Sequence, residues 1–302
     1  MSKGPAVAVV RCPAKVNLFL EVVRRRPDGF HDIDTVIQAI SLYDELRVEA
    51  TEEPGLLLEC SDPTLPTDGR NLVMRAAVAL RERMGHRGGA RMSLTKRIPQ
   101  QAGLGGGSSD AAAALVGLNA AWALGLSREE LRDVAAGVGS DVAFFLYGGT
   151  ARCTGRGEVV EPLEAGGTLR FVLLCPRVGI STAAAYGRLR RPLTSPPASA
   201  SMLVSSLAKG HEEGVARGLF NRLEEPAFEL HPALREVKAR LCECGALLGV
   251  SMTGSGSAFF GLCRAKDQES ALAAARTLGL GEVLAVEGIR HGVEAQAGTG
   301  AV

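Results

Sequence analysis

A run of glycines, Gly103–Ser109 (GLGGGSS), leaves few folds open to this chain. Alternating apolar and polar side chains over Met92–Ile98 predict a strand before it, and the alanine-rich stretch Ser109–Leu124 predicts a buried helix after it. Because glycine has no Cβ, consecutive N–H groups can turn inward toward an anion, and the helix adds its unpaired N-terminal N–H groups and positive dipole end. This segment, the glycine loop, therefore predicts a cradle for a triphosphate.

The glycine loop matches neither of the two commonest phosphate-binding motifs. A Walker A loop requires a lysine directly before its Ser or Thr, and no lysine precedes Ser108. The dinucleotide pattern G-x-G-x-x-G fails because Ser108 stands where the last glycine is required, and the protein-kinase signatures are missing. A tight strand-to-helix turn without a ligand stays open as the alternative, although such a turn needs only one or two glycines.

Composition describes an ordinary globular chain. The 302 residues carry a net charge of +1, with 46% apolar and 22% charged residues, which allows two modest domains. Basic residues cluster only at Arg24–Arg26, so we expect no nucleic-acid partner. Without an apolar span or a leader peptide we expect no membrane association and a cytoplasmic location. The seven cysteines lack a C-x-x-C pair, which argues against disulfides and zinc, and we predict no dedicated metal site.

The order of predicted elements indicates an α+β fold, because strands and helices follow one another without regular alternation. Leu72–Met84 reads as a helix that starts near Asn71, and Ser127 reads as the N-cap of another. The pattern restarts after about residue 165. We therefore predict an N-terminal domain over 1–165 and a C-terminal domain over 166–302, with a frayed tail from about residue 295.

Two isolated polar residues interrupt otherwise apolar segments. Lys15 lies in PAKVNLFL and Asp141 lies in GSDVAFF. Phosphoryl transfer uses such a pair, with the carboxylate acting on the attacking hydroxyl and the ammonium offsetting charge on the nucleophile or the phosphate. A structural ion pair between two elements stays open as the alternative. Two further features are equally open: His31 as a ligand or a turn residue, and Thr253–Ser257 as a ligand-facing turn or a simple hairpin.

Taken together and in this order, these segments resemble the GHMP small-molecule kinases. The resemblance extends from about residue 12 to residue 286. It rests on the strand that Pro13–Lys15 opens, on the glycine loop and on the C-terminal turn MTGSG. It implies a two-domain α+β fold with an N-terminal ATP-binding domain, a ferredoxin-like C-terminal domain and an active site in the cleft between them. It also implies ATP as the phosphoryl donor, with Mg²⁺ carried by ATP.

The segment RRRPDGFH resembles the branch of that superfamily that phosphorylates the 2-hydroxyl of a cytidine-diphosphate ester of methylerythritol in the non-mevalonate isoprenoid pathway. The resemblance implies that Asp141 deprotonates this hydroxyl and that Lys15 holds the nucleophile and Asp141. It assigns to ATP the residues Pro99, Gln100, Gln101, Ala102, Gly103, Leu104, Gly105, Gly106, Gly107, Ser108, Ser109 and Asn71. It assigns to the substrate Asn17, Phe30, His31 and Thr182. We expect a monomer or a weak homodimer.

The chain departs from the pattern of that branch at two positions. Phe30 stands where tyrosine is common, which keeps a ring but removes a hydroxyl, and Arg222 in Asn221–Glu224 stands where aspartate is usual. Two rival functions stay open. One is a sibling GHMP kinase for mevalonate, phosphomevalonate or homoserine. The other is a nucleotide-binding sensor or scaffold without catalysis, against which the presence of both Lys15 and Asp141 speaks.

Overall fold

The computed structural model describes residues 6–189 and 200–297. In chain order the strands are β1 (Val7–Arg25), β2 (His31–Thr51), β3 (Leu56–Cys60), β4 (Gly89–Thr95), β5 (Thr150–Gly155), β6 (Val159–Leu163), β7 (Arg170–Cys175), β8 (Phe220–Asn221), β9 (Gly249–Met252), β10 (Phe259–Cys263), β11 (Glu282–Glu287) and β12 (Glu294–Ala297). The α-helices are α1 (Leu72–Met84), α2 (Gly106–Ala121), α3 (Arg128–Val138), α4 (Val142–Tyr147), α5 (Thr182–Gly187), α6 (Ala200–Ala208), α7 (Glu212–Gly218), α8 (Glu224–Leu230), α9 (Ala233–Cys242) and α10 (Gln268–Thr277). The proline- and serine-rich segment 192–201 lies mostly outside the described residues.

The first sheet, eight-stranded within the described ranges, is built around β1 and β2. Its main order is β12-β1-β2-β4-β3, with β5 and β8 pairing β2 and β1 respectively. The Val-, Leu- and Phe-rich runs Ala6–Val10 and Val16–Val23 predict two short strands, whereas β1 runs unbroken, because Pro13 sits at a register shift in the β1–β2 pairing that accommodates its missing N–H. Pro27 and Asp28-Gly29 in RRRPDGFH predict a turn, and the turn is present: Gly29 has φ of +89° and Arg26 N–H donates to Phe30 O at 2.8 Å.

Helices α1 to α4 cover one face of this sheet. The predicted bounds of α1 agree with the structure, and the Asn71 side chain caps it by accepting from Val73 N–H. The predicted capping box at Ser127 is also present. Helix α2 begins at Gly106 rather than at the predicted Ser109, because the last residues of the glycine loop already form its first turn. Its alanines at positions 111 to 114 are fully buried, so the helix lies close against the sheet.

The second sheet has the order β11-β7-β10-β9, and every neighbouring pair is antiparallel. Helices connect β7 to β9, β9 and β10 form a hairpin, and α10 connects β10 to β11. This β-α-β-β-α-β connectivity, with the last strand beside the first, is the ferredoxin-like arrangement. The predicted two-domain α+β architecture is therefore confirmed.

Later parts of the chain also return to the first sheet. Strand β8 pairs in parallel with β1, and β12 pairs with Ala8–Arg11 of the same strand. The sequence predicts a frayed tail from about residue 295. The backbone of Ala295–Ala297 pairs instead with β1, where an unpaired strand edge offers its N–H and C=O groups, and the rest of the tail lies outside the described residues. The division at residues 165 and 166 stays a prediction.

Two further expectations bear on the chain as a whole. All seven cysteines are free, five of them buried, with Cys60 half-buried and Cys242 exposed. Within residues 6–189 and 200–297, no helix combines the length and apolar character that crossing a bilayer requires.

The close approach of α2 to the sheet gives a stability prediction. A Cβ at Gly117 would lie 2.8 Å from Val48 Cγ2, whereas one at the exposed Gly137 of α3 would meet nothing within 4 Å. We expect Gly117→Leu to lower the free energy of unfolding by about 1–3 kcal/mol through overpacking. Gly137→Leu should leave it unchanged or raise it by up to about 1 kcal/mol. Urea denaturation followed by circular dichroism measures both, and equal effects would contradict the packing of α2.

Candidate active site

A cavity of about 1200 Å³ lies where β1, the glycine loop, the start of α4 and the start of α5 meet. Most residues that the sequence assigned to catalysis or ligands line it: Lys15, Asn17, Phe30, His31, Asn71, Pro99, Gln100, Gln101, Ala102, Gly103, Leu104, Gly105, Gly106, Gly107, Ser108, Asp141 and Thr182. Ser109 is absent from the wall because it is fully buried. Residues from distant parts of the sequence therefore converge on one space.

Close contacts at two positions of the glycine loop leave no room for a side chain. Gly103 has φ of +75°, and a Cβ there would lie 2.0 Å from Thr253 O. Gly105 has φ of +73°, and a Cβ there would lie 2.8 Å from the Phe145 ring and 3.0 Å from Lys15 Cγ. The two glycines are thus required by conformation and by packing.

The first turn of α2 faces the cavity through Gly106, Gly107 and Ser108. The N–H groups of a first helical turn have no partner within the helix, so they are available to an anion. Asn71 lies at the same cavity, but its side chain is occupied by Pro66 O and by the cap of α1. An adenine bound near Asn71 would therefore pack against the cavity wall there rather than bond to a free Asn71 amide.

Lys15 is 3% exposed and lies beside the loop, with its Nζ donating to Asn17 Oδ1. Burial lowers the pKa of Lys15, and the nearby negative charge of Asp141 opposes that decrease. Asp141 precedes α4, and its side chain makes no hydrogen bond to the helix backbone. The carboxylate is therefore not used as a helix cap, and the lysine and aspartate share one electrostatic environment.

The side chain of Asn17 bonds to other residues of the protein through both of its polar atoms, unlike a side chain that serves only to bind a ligand. Its Oδ1 accepts from Lys15 Nζ and from Gly254 N–H at 2.9 Å, and its Nδ2 donates to Thr35 Oγ1 at 2.9 Å. The side chain is 3% exposed. Asn17 joins Lys15 to the turn at Thr253–Ser257, which the sequence left open between a ligand-facing turn and a hairpin. That turn connects β9 to β10 and also reaches the cavity through Gly254 and Ser255.

Aromatic rings also line the cavity. The His31 and Tyr186 rings lie 5.1 Å apart, and Phe30 is 52% exposed with the Arg156 guanidinium 5.1 Å from its ring centre. Thr182 Oγ1 lies 3.1 Å from Ser255 Oγ. Flat rings beside a cation offer stacking surfaces to a base. Sequence reasoning missed Tyr186 and Arg156, because no local pattern connects them to RRRPDGFH.

Sequence reasoning also missed a buried charge cluster beside the glycine loop. Lys96 Nζ contacts Asp44 and lies 2.7 Å from Asp110 Oδ2, and all three side chains are at most 7% exposed. Asp44 Oδ1 also accepts from Ile98 N–H at 2.8 Å. Among the described residues, the buried Asp110 Oδ1 and Ser109 Oγ have no hydrogen-bond partner. The cluster anchors both the strand before the loop and the helix after it.

Comparison with known proteins identifies the family. The model for the GHMP kinases N terminal domain matches residues 71–149, and that for GHMP kinases C terminal matches residues 203–279. A 4-diphosphocytidyl-2-C-methyl-D-erythritol kinase of Pelotomaculum thermopropionicum is 44% identical over 85% of this chain and 89% of its own. The chain belongs to this family of GHMP kinases. This GHMP kinase is therefore a small-molecule kinase, and ATP is its phosphoryl donor.

Two solved structures resemble this GHMP kinase over nearly its whole length. A crystal structure of 4-(cytidine 5'-diphospho)-2C-methyl-D-erythritol kinase is 38% identical, with a TM-score of 0.77, and covers 93% of this chain and 99% of its own. A homoserine kinase from Cytophaga hutchinsonii has a TM-score of 0.78 at 20% identity, with 98% of each chain covered. Because the second resemblance is one of fold alone, the fold does not choose the acceptor.

The buried cluster gives a pH-dependent prediction. Burial raises the pKa of Asp110 to about 7, with Lys96 opposing the rise and Asp44 adding to it. Cys12 faces the same carboxylate and has a raised pKa itself. A carboxyl whose pKa is higher in the folded than in the unfolded chain stabilises the folded state fully only at pH values below its unfolded pKa. This stabilisation is lost as the pH rises toward the folded pKa of about 7. The unfolding free energy of the wild type should therefore fall, relative to Asp110→Asn, between about pH 4 and pH 7.

Urea titrations at several pH values measure this difference. Asp68→Asn is the control, because hydrogen bonds from Arg70 lower the pKa of Asp68 to about 2 and keep it ionised over the same range. The Asp68 variant should follow the wild-type pH dependence. Parallel curves for the wild type and Asp110→Asn would contradict the assignment of a raised pKa to this carboxyl.

Proposed function

We propose that this chain transfers the γ-phosphate of ATP to the 2-hydroxyl of 4-diphosphocytidyl-2-C-methyl-D-erythritol, in the cytoplasm, giving the 2-phosphate and ADP within the non-mevalonate isoprenoid pathway. The observation that carries the proposal is that Lys15 and Asp141 line the same cavity as the glycine loop, close enough for the charge of Asp141 to act on Lys15. Relatives with this activity in their names are 38–44% identical to this chain over 84–93% of its length.

Catalysis rests on positioning and charge, because phosphoryl transfer leaves a protein little covalent chemistry to perform. Asp141 orients the acceptor hydroxyl and accepts its proton. Lys15, held by Asn17, offsets negative charge on the nucleophile. Asn17 thus acts through Lys15 in addition to any contact with the substrate.

The triphosphate lies against the first turn of α2, where Gly106, Gly107 and Ser108 present N–H groups to the cavity. Within the described residues, no group of three or more His, Cys, Asp and Glu side chains could hold a metal ion. The residues fit an Mg²⁺ ion that the phosphates carry, with the Ser108 hydroxyl within the same wall. Bound there, the ion supplies charge neutralisation on the phosphate oxygens.

The acceptor occupies the opposite end of the cavity. The exposed Phe30 ring and the His31–Tyr186 pair offer flat surfaces to a cytosine. Thr182, beside Ser255, offers a hydroxyl to the sugar alcohol or diphosphate. A mevalonate or homoserine acceptor has no ring that this surface could stack on.

A direct assay compares acceptors. Purified protein with ATP and Mg²⁺ should phosphorylate the cytidyl substrate and leave mevalonate, phosphomevalonate and homoserine unchanged, as product analysis by mass spectrometry measures. Transfer to mevalonate without transfer to the cytidyl substrate would show that the acceptor is wrong. ATP binding without transfer to any acceptor would favour the sensor function.

The catalytic pair gives a second prediction. Asp141→Asn should lower kcat about 10²–10⁴-fold, because it removes the proton acceptor without changing size. Asp267→Asn is the matched control: both aspartates precede a helix without capping it by the side chain, and Asp267 is not a cavity residue. Steady-state kinetics should give wild-type kcat for the control. An Asp141→Asn protein with wild-type kcat would contradict the mechanism.

The base-binding end gives a third prediction. His31→Ala should raise the KM for the cytidyl acceptor roughly 10-fold while the KM for ATP stays unchanged, since the lost contact belongs to one substrate only. His231→Ala, at the end of α8, serves as the control and should change neither constant. A parallel rise in both KM values would place His31 outside the acceptor site.

A further inference from the structure

The segment Phe220–Glu224, here called the brace, lies between β1 and the Thr253–Ser257 turn. It carries the arginine at position 222 where relatives of this type usually have aspartate. Phe220 and Asn221 form β8 and pair with Phe19 and Leu20 of β1. None of the catalytic steps above uses the brace.

An ion pair fastens the brace to β1. Arg222 Nε and one terminal nitrogen donate to the two Glu21 oxygens, each at 2.7 Å. The side chain of Glu21 is 7% exposed and that of Arg222 is 23% exposed. Arg222 N–H donates to Leu20 O at 2.8 Å, and its guanidinium lies 4.9 Å from the Phe220 ring. This bidentate geometry sets both distance and orientation between the two segments.

Asn221 then fastens the brace to the glycine turn. Its side-chain amide donates to Met252 O at 2.7 Å and to Gly254 O at 2.8 Å, and its oxygen accepts from Leu223 N–H. Both amide protons and the oxygen are therefore occupied, in a residue that is 5% exposed. A carboxylate of the same shape could not donate to the two carbonyls.

The turn held in this way touches the catalytic centre. Gly254 N–H donates to Asn17 Oδ1, the atom that also accepts from Lys15 Nζ. A Cβ at Gly254 would lie 3.1 Å from Lys15 Nζ and 2.8 Å from Gly103 O. A displacement of Gly254 would therefore move two features together. One is Asn17 Oδ1, the acceptor atom that orients Lys15, and the other is the wall that the glycine loop forms.

We propose that Asn221 is a positioning residue for phosphoryl transfer, which holds the Met252–Gly254 backbone against Asn17 and Lys15 while the Glu21–Arg222 ion pair holds Asn221 in place. Asn221 touches neither substrate. It acts through Gly254 and Asn17, so its effect falls on the alignment of Lys15. The inference rests on the proposed function.

The test uses the isosteric change Asn221→Asp with a matched control. Asn119 in α2 also bridges backbone groups through its amide, donating to Leu126 O and accepting from Leu126 N–H, both at 3.0 Å and away from the cavity. Asn119→Asp therefore makes the same chemical change, with the loss of one donated backbone bond where Asn221→Asp loses two. We expect Asn221→Asp to lower kcat for the cytidyl substrate by about 10- to 100-fold with little change in either KM. Asn119→Asp should keep wild-type kcat at a temperature where both proteins are folded.

A second measurement does not depend on activity. Hydrogen–deuterium exchange of the peptide containing Thr253–Ser257 should be faster in Asn221→Asp than in the wild type and unchanged in Asn119→Asp. Wild-type kcat in Asn221→Asp, or unchanged exchange of this peptide, would overturn the proposal. A wild type that does not phosphorylate the cytidyl substrate would instead overturn the proposed function, and exchange alone would then decide whether Asn221 holds the turn.

Charge reversal covers the case in which Asn221→Asp fails to fold. Arg222→Glu makes two carboxylates face each other and should lower kcat, while the double variant Glu21→Arg with Arg222→Glu restores opposite charges and should recover most of it. Equal kcat in the single and double variants would show that the ion pair does not act on the site.

Discussion

The close backbone approach at Gly103 is the contact on which the site depends. Thr253 Oγ1 donates to Gly103 O at 3.0 Å, and Lys15 N–H donates to Leu104 O at 3.0 Å. Through these bonds, one from a side-chain hydroxyl and one from the main chain, three segments that are far apart in the sequence meet. The position of the glycine loop relative to Lys15 is thus set by the main chain before any ligand arrives, which is the condition for electrostatic preorganisation.

Buried charge surrounds the glycine loop although the whole chain is nearly neutral. A Cβ at Gly105 would lie 3.0 Å from Lys15 Cγ, and one at Gly106 would lie 3.2 Å from Lys96 Nζ. The two lysines therefore flank glycines that line the cavity, with Asp141 near Lys15 and with Asp44 and Asp110 beside Lys96. Because burial reduces screening by water, this local field is independent of the net charge of +1.

Features that depend on residues close together in the sequence could be predicted from it. Helix α1 and its cap at Asn71, the capping box at Ser127 and the turn at RRRPDGFH all follow from local patterns. The roles of the predicted site residues stay predictions, although most of them line one cavity. The partners of Lys96 and of Asn221 could not be predicted, because Asp44 lies 52 positions from Lys96 and the contacts of Asn221 cross from one sheet to the other. The full length of β1 was missed because Pro13 ordinarily ends a strand.

Strand β1 has partners from both ends of the chain, and this affects the order in which the protein can fold during synthesis. Its residues leave the ribosome before those of β8 and β12 and are followed directly by β2, its hairpin partner. The other edge of β1 pairs with β8 and β12, which are made much later. That edge stays unpaired while most of the second sheet is translated, so the nascent chain exposes an open strand edge until β12 is made. Lys15 on this strand therefore acquires its final surroundings only after β8 and the Thr253–Ser257 turn have been translated.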